Sequence, residues 1–351
     1  MAMTYRDNYL AAVGFRYPEW IPCSIGFSPL TWHTLRRDLE RLILAHPRIF
    51  PTYDPANANF YDEMPLVYRE GEYYRDNWGC LWYNQQAGLE GQVVGHPLAD
   101  WASLDVYQMP NPLVDNERGT EQKDWAKAAE NIAKARREGF VASGGGERLV
   151  DRLYFLRGFE NLMMDLAEGR AELIRLIAAL EDYERRLIQR WLELGVDMIS
   201  FHTDIGTQHG PMLGPATFRK YLKPTFQRLF QACRQQGVHV YLSSDGNILP
   251  LIDDLIECGV SVHDPQLRAC TVEGIRRVYR GRLCANVDLD RQGFPFMTPA
   301  QIRDQVKQVV DALALPEGGL MVMAAIYGAD VPLHNIAALC EAMEEYCFPS
   351  R

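Results

Sequence analysis

Short apolar runs recur along the second half of the chain, separated by stretches in which apolar residues return every three or four positions. DMISF at 197–201, HVYL at 239–242, VSV at 260–262, LCANV at 283–287 and LMVMAA at 320–325 read as strands. Segments of helical period lie between them. The clearest opens with Thr298-Pro299, a cap followed by a first-turn proline, and then places Ile302, Val306, Val309 and Leu313 on one face. Alternation of strand and helix implies parallel pairing, because successive strands must be joined by crossovers. FVAS at 140–143 and WIPCSIGF at 20–27 add two strands upstream. The rhythm predicts a (β/α)8 TIM barrel, with a doubly wound sheet as the competing α/β arrangement. No GxGxxG turn follows any of these strands, and GGG at 144–146 lacks that spacing, which counts against dinucleotide binding.

The first third follows another pattern. From about 28 to 130 the chain is rich in Tyr, Trp, Asn and Pro, and GEYYRDNWGCLWYNQQAGLEGQVVGHPL at 71–98 reads as antiparallel strands joined by a turn around 85–88. So long an excursion in a barrel predicts a wall or lid over the barrel mouth. The segment 117–138 reads as a charged helix with a solvated face. Residues 1–139 are thus expected to form the N-terminal part of the barrel with hairpin and helical insertions. Residues 140–351 supply the main βα segment of the same domain.

Composition narrows the function classes. The chain has 351 residues, is 47% hydrophobic and carries a formal charge of −10, so it has ample core and repels phosphate backbones. Nucleic acid is not an expected partner. Nor is a membrane, since LMVMAAIYGA at 320–329 is too short to span one and MAMTYRDNYL does not resemble a signal peptide. A soluble, cytoplasmic chain is the expectation. The eight cysteines (23, 80, 233, 258, 270, 284, 340, 347) form no CxxC pair and read as reduced core residues.

In a parallel barrel the residues just beyond the strands gather at one mouth. Here they are His202, Thr203 and Asp204; Ser243, Ser244 and Asp245; His263 and Asp264; Asn286 and Asp288; and Tyr327 and Asp330. Any one of them could simply cap a helix or start a turn. Together, Asp and His at matched strand ends can share a metal, position water, or act as acid and base, and the sequence does not choose among these.

Four runs carry a family resemblance: DMISFHTDIGTQHGPMLGPATFRKYLKPTFQRLF, GVHVYLSSDGNILPLIDDLIECGVSVHDPQ, LCANVDLDRQGFPFMTPAQIRDQV and ADVPLHNIAALCEAM. Over about 140–348 the chain resembles the uroporphyrinogen decarboxylase superfamily, whose members include corrinoid-dependent methyltransferases. The resemblance implies a (β/α)8 barrel with the active site in its mouth. Zinc-dependent methyltransferases of that group end one strand in His-x-Cys-Gly and place a further Cys near the last strand. This chain has Ser243, Ser244, Asp245 and Gly246 at the first position, and Ala324, Ala325 and Ile326 at the second. A soft, thiol-activating zinc site is therefore not expected. The decarboxylase's basic Arg-Gln-Ala-Gly-Arg motif is also missing, since FRYPEWIPCSIGFSPLTW offers Arg16 alone.

The resemblance therefore implies a methyltransferase that moves a methyl group between a small O-, N- or S-methylated substrate and a corrinoid carried by a partner protein. The alternatives are a decarboxylase of a porphyrinogen-like or other carboxylated substrate, and a non-catalytic ligand-binding barrel. In the methyltransferase reading His202 is the proton donor or a metal ligand, with Asp204 and Asp245 orienting or charging it. The same three residues would make a harder site for zinc or another metal ion. Asn77, Trp78 and Tyr327 are expected to wall in the substrate, and Ser243, His263 and Asp288 to line its site. The oligomeric state is left open, a dimer included.

Overall fold

The computed structural model describes residues 3–57 and 64–348. Two compact units interleave along the chain. One takes 3–7, 73–83 and 92–263, the other 8–57, 64–72, 84–91 and 264–348. The strands in chain order are β1 (Cys23–Phe27), β2 (Tyr73–Arg75), β3 (Leu81–Tyr83), β4 (Gln92–Gly95), β5 (Ser143–Gly145), β6 (Met198–His202), β7 (His239–Ser243), β8 (Val262–His263), β9 (Cys284–Asp288) and β10 (Leu320–Ile326).

In the first unit β5, β6, β7 and β8 lie side by side and parallel. In the second, β1, β10 and β9 do the same. These seven are the parallel strands among the described residues, one fewer than a (β/α)8 barrel needs. Between β1 and β5 the extended residues go instead into an antiparallel sheet, in which Tyr74 faces Trp82 and Tyr73 faces Tyr83. All three strands of that sheet fall in the first unit.

The strand near 140 begins later than FVAS suggests, and glycine is the reason. A Cβ on Gly144 would stand 2.5 Å from the Trp191 ring, and one on Gly146 would stand 2.4 Å from Phe201 and 2.7 Å from Glu184 Oε1. The glycines of GGG let β5 lie directly on the helix Ala171–Leu194. Asp197 fixes the neighbouring entry to β6. Its carboxylate accepts from the Ala142 amide at 3.0 Å and from Arg6 Nε and Nη2 at 3.0 and 2.8 Å.

Arg152 joins several segments of this unit. Its guanidinium donates to Glu147 Oε1 at 3.1 Å, to Asp76 Oδ2 at 3.3 Å and to the Glu117 carbonyl at 3.0 Å, and it lies 4.4 Å from the Trp78 ring centre. The charged helix is shorter than 117–138. It runs Trp125–Arg137, because the Asp124 side chain caps it by accepting from the Lys127 amide at 2.9 Å.

In the second unit the Thr298 hydroxyl accepts from the Gln301 amide at 3.3 Å while the Gln301 side chain accepts from the Thr298 amide at 2.8 Å. This capping box starts the helix Pro299–Leu313, whose Ile302, Val306, Val309 and Leu313 are buried as the period predicts. All eight cysteines are free thiols; seven are buried and Cys23 is half-buried. Among the described residues no helix is long and apolar enough to cross a membrane. Thr298→Ala removes one arm of the capping box and should cost about 1 kcal/mol in urea unfolding. An unchanged midpoint would mean that this turn is frayed in solution.

Candidate active site

In the first unit the polar residues beyond β6 and β7 continue the pairing of the two strands as loops. The Thr203 amide donates to the Ser243 carbonyl at 2.9 Å, the Ile205 amide to Ser244 Oγ at 3.0 Å, the Asp245 amide to Asp204 Oδ1 at 2.9 Å and the Asn247 amide to the Thr207 carbonyl at 2.7 Å. Gly246 is required there. Its φ is +84°, and a Cβ would stand 2.6 Å from the Gly206 carbonyl carbon. Ser244 is buried, Ser243 is half-buried and the Asp245 side chain is exposed.

The helix Leu149–Arg157 docks its first turn on the same strand end. The Val150 amide donates to Thr203 Oγ1 at 2.8 Å, and the Asp204 amide donates to Asp151 Oδ2 at 3.0 Å. The Tyr154 hydroxyl donates to the other Asp151 oxygen. Burial, and then the neighbouring Asp204 charge, push the Asp151 carboxyl up to about 6. Asp151 and Tyr154 were not among the expected site residues. Their signal was a lone acid inside the apolar run LVDRLYFL, which strand-end reasoning passes over.

His202 is open to solvent but surrounded by protein. That surrounding, with Arg118 and then Arg148 adding to it, lowers its pKa to about 4. At neutral pH the ring is uncharged, which suits a neutral hydrogen-bonding group or base. His263 is fully buried against the Ser244 backbone, its pKa lowered to about 3 by burial. It supports the end of β7 and does not line an open site. A metal does not fit this donor set. Among the described residues no three His, Cys, Asp or Glu side chains converge on an ion position, and Asp204 turns a carboxylate oxygen to the Asp245 amide.

The expected aromatic wall at Trp78 is a core stack instead. The indole is 1% exposed, 4.7 Å from the Tyr183 ring and under the Arg152 guanidinium. Asn77 serves the loop ahead of the helix Trp125–Arg137. Its side chain donates to the Asn116 and Glu121 carbonyls at 3.2 and 3.0 Å, and its amide to the Gly119 carbonyl at 3.0 Å.

The second unit holds a cavity of about 380 Å³ beyond the end of β10, lined in part by Gln86, Leu89, Arg291, Phe296, Tyr327 and Asp330. Ser28 and Thr31 shape it: the Ser28 hydroxyl donates to the Tyr327 carbonyl at 2.7 Å, and the single Thr31 hydroxyl proton is shared between the Ile326 and Gly328 carbonyls, 2.9 and 3.0 Å away. Tyr327 lines this cavity as expected, with Arg291 4.9 Å from its ring centre. Asp288 is buried and acts through Arg291, which it pairs at 3.2 Å. Arg291 and Phe296 were not expected, although both lie in the run DRQGFPF just past β9.

The model of the uroporphyrinogen decarboxylase (URO-D) family matches residues 91–346. The chain belongs to the URO-D family. Uroporphyrinogen decarboxylases from two strains of Thermus thermophilus are each 27% identical to it over 177 residues, 49% of this chain and 48% of theirs. The chain thus spans about half the length of the curated relatives it matches. A methyltransferase from Methanosarcina mazei shares the fold with a TM-score of 0.64 at 17% identity, over 98% of this chain and 99% of that one. The α/β, TIM-barrel-like fold class of this URO-D family member agrees with the strand rhythm, with seven parallel strands among the described residues where the rhythm implied eight.

Asp151 and His202 give opposite pH signatures. Folded Asp151 holds its proton to about pH 6 against 3.8 ordinarily, so stability falls as pH rises between these values, by up to roughly 3 kcal/mol. Asp151→Asn should flatten that fall in denaturant melts, and an unaltered slope would place the proton elsewhere. Folded His202 titrates near 4 against 6.5, so its contribution is lost as pH drops through that window. Imidazole NMR should find His202 neutral at pH 5; a midpoint above 6 would contradict its surroundings.

Proposed function

We propose that this URO-D family member is a methyltransferase that moves a methyl group between a small O-, N- or S-methylated substrate and a corrinoid protein. The observation that carries the reading is the likeness to a methyltransferase along nearly the whole of both chains, where the likeness to the decarboxylases reaches half. Within the second unit, the 380 Å³ cavity beyond β10 can hold a small methylated ligand, with Tyr327 and Phe296 as its aromatic faces. Ala325 and Gly328 leave that space open, and a larger residue at 325 would fill it.

Attack on a methyl carbon breaks the bond between methyl and heteroatom, and the departing heteroatom needs a proton. Within the first unit Asp151 with its Tyr154 partner is a reserve of a proton near neutral pH, Asp204 holds the Asp245 amide, and the exposed Asp245 carboxylate is assigned to orient or charge His202. His202, as a neutral base or hydrogen-bond donor, completes the assignment. No step is routed through a metal, because these donors do not assemble a ligand set.

The second reading, decarboxylation of a carboxylated substrate, is favoured by the half-length likeness to uroporphyrinogen decarboxylases. One assay separates the two. The protein is mixed with cob(I)alamin and a panel of methoxy-, methylamino- and methylthio-compounds, and formation of methylcobalamin is followed by absorbance. Turnover with at least one donor is expected, with Ala325→Phe abolishing it and Asp245→Asn lowering it on the order of 10²-fold at unchanged stability. Wild-type turnover in Asp245→Asn would remove that residue from the chemistry. Failure with every donor, together with CO2 release from a porphyrinogen, would establish the second reading.

A further inference from the structure

Two cysteines of the second unit meet away from every residue assigned above. The Trp20 and Phe348 rings stack with centroids 6.2 Å apart and planes 22° apart, and the Ile21 amide donates to the Cys347 carbonyl at 2.9 Å. These contacts run residues 20–23 alongside 347–348, and they place the Cys23 thiol within hydrogen-bonding reach of the Cys347 thiol. Both backbones are fixed without help from the sulfurs. Cys23 opens β1 opposite Val322, and Cys347 ends the helix Leu333–Cys347, on a buried stripe with Ile336, Cys340 and Met343.

Two touching sulfurs can be plain core packing, as buried cysteines usually are. Cys23 differs from the other seven cysteines in keeping contact with solvent, which gives a small solute a way in. We infer that Cys23 and Cys347 are an oxidation site, forming an intramolecular disulfide when the protein meets a hydroperoxide. The Cys23 sulfur, as thiolate, attacks a peroxide oxygen, the O–O bond breaks, and sulfenic acid and one water form. The Cys347 sulfur then attacks the sulfenic sulfur, its proton leaves with the departing hydroxyl as a second water, and the S–S bond closes. Two thiols and one hydrogen peroxide give one disulfide and two waters; sulfur is oxidised and the peroxide oxygens are reduced.

The resting pair is slow to react. The neighbouring Cys347 sulfur, and then burial, hold the Cys23 proton well above the ordinary thiol range, so little thiolate exists at neutral pH. Oxidation by peroxide is therefore slow at neutral pH and quickens as pH rises and the thiolate fraction grows. Once formed, the bond cross-links β1 to the last helix and closes nearly the whole chain into a loop, which restricts the unfolded state.

The test treats the full-length protein with hydrogen peroxide, blocks remaining thiols with N-ethylmaleimide in denaturant, and maps peptides after trypsin and Glu-C digestion. Cleavage after Glu341, Glu344 or Glu345 separates Cys340 from Cys347. A Cys23–Cys347 cross-linked peptide is expected, with a melting temperature several degrees above the reduced protein that dithiothreitol reverses. Cys340→Ser should change neither result; Cys347→Ser, or Cys23→Ser if that variant folds poorly, should abolish both. Maleimide on both Cys23 and Cys347 after peroxide would overturn the inference. So would a cross-link from Cys23 to Cys340, whose sulfur is also near enough to act on the Cys23 proton.

Discussion

One buried guanidinium organises the first unit. Arg152 is 1% exposed, and a charge at that depth persists only when paired and hydrogen-bonded on every side. Its partners come from separated stretches: Asp76 in the turn between β2 and β3, the Glu117 carbonyl, Glu147 just after β5, and the Trp78 face. The antiparallel sheet, the loop before Trp125 and the end of β5 are thereby held to one point. Losing a partner would strand charge in the interior, at a cost on the order of 3–5 kcal/mol. Acids outnumber bases around it, with Asp76, Glu117, Glu147 and Glu184 set against Arg152 and Lys123. Burial counters the imbalance by raising proton affinity, with Glu184 pushed well above the carboxylate range and Glu117 raised.

A second constraint governs the strand ends. Where parallel strands stop, main-chain groups still need partners, and here short polar side chains supply them. Ser244 accepts from Ile205, Asp204 from Asp245 and Asp151 from Asp204, so each acid faces the amide of the next. Satisfying the backbone thus brings two carboxylates close together. The perturbed proton on Asp151 follows from that proximity and from its burial.

Strand positions were legible because they rest on local pattern. DMISF, HVYL, LCANV and LMVMAA became β6, β7, β9 and β10 with small shifts at their ends, and Thr298-Pro299 began the helix it announced. Residues acting over long sequence distance were not legible. Trp78 looked like a wall because aromatics in a polar hairpin suggest exposure, and nothing nearby shows that Arg152, 74 positions on, covers it. The low pKa of His202 comes first from its enclosure by protein and then from Arg118 and Arg148, all from separate segments. Asp288 was singled out as a strand-end acid, yet its neighbour Arg291 reaches the cavity, a difference decided by burial and not by composition.

The Ser-Ser-Asp-Gly stretch shows how one family fold admits different chemistry at a fixed place. Gly246 is dictated by geometry, since its φ is +84° and the Gly206 backbone leaves no room for a Cβ. Any sequence making this turn needs it, including the His-x-Cys-Gly pattern that the stretch resembles. At 245, by contrast, the bond to Asp204 comes from the main-chain amide, which every residue but proline supplies. Thiolate and carboxylate can therefore exchange at 245 with this part of the turn intact. Ser244 is less replaceable, because its hydroxyl accepts from the buried Ile205 amide, and an apolar side chain there would leave that donor without its partner. The fold thus constrains positions 244 and 246 through the backbone and leaves the side chain at 245 open to exchange, so the backbone of the strand end does not dictate which side chain stands there.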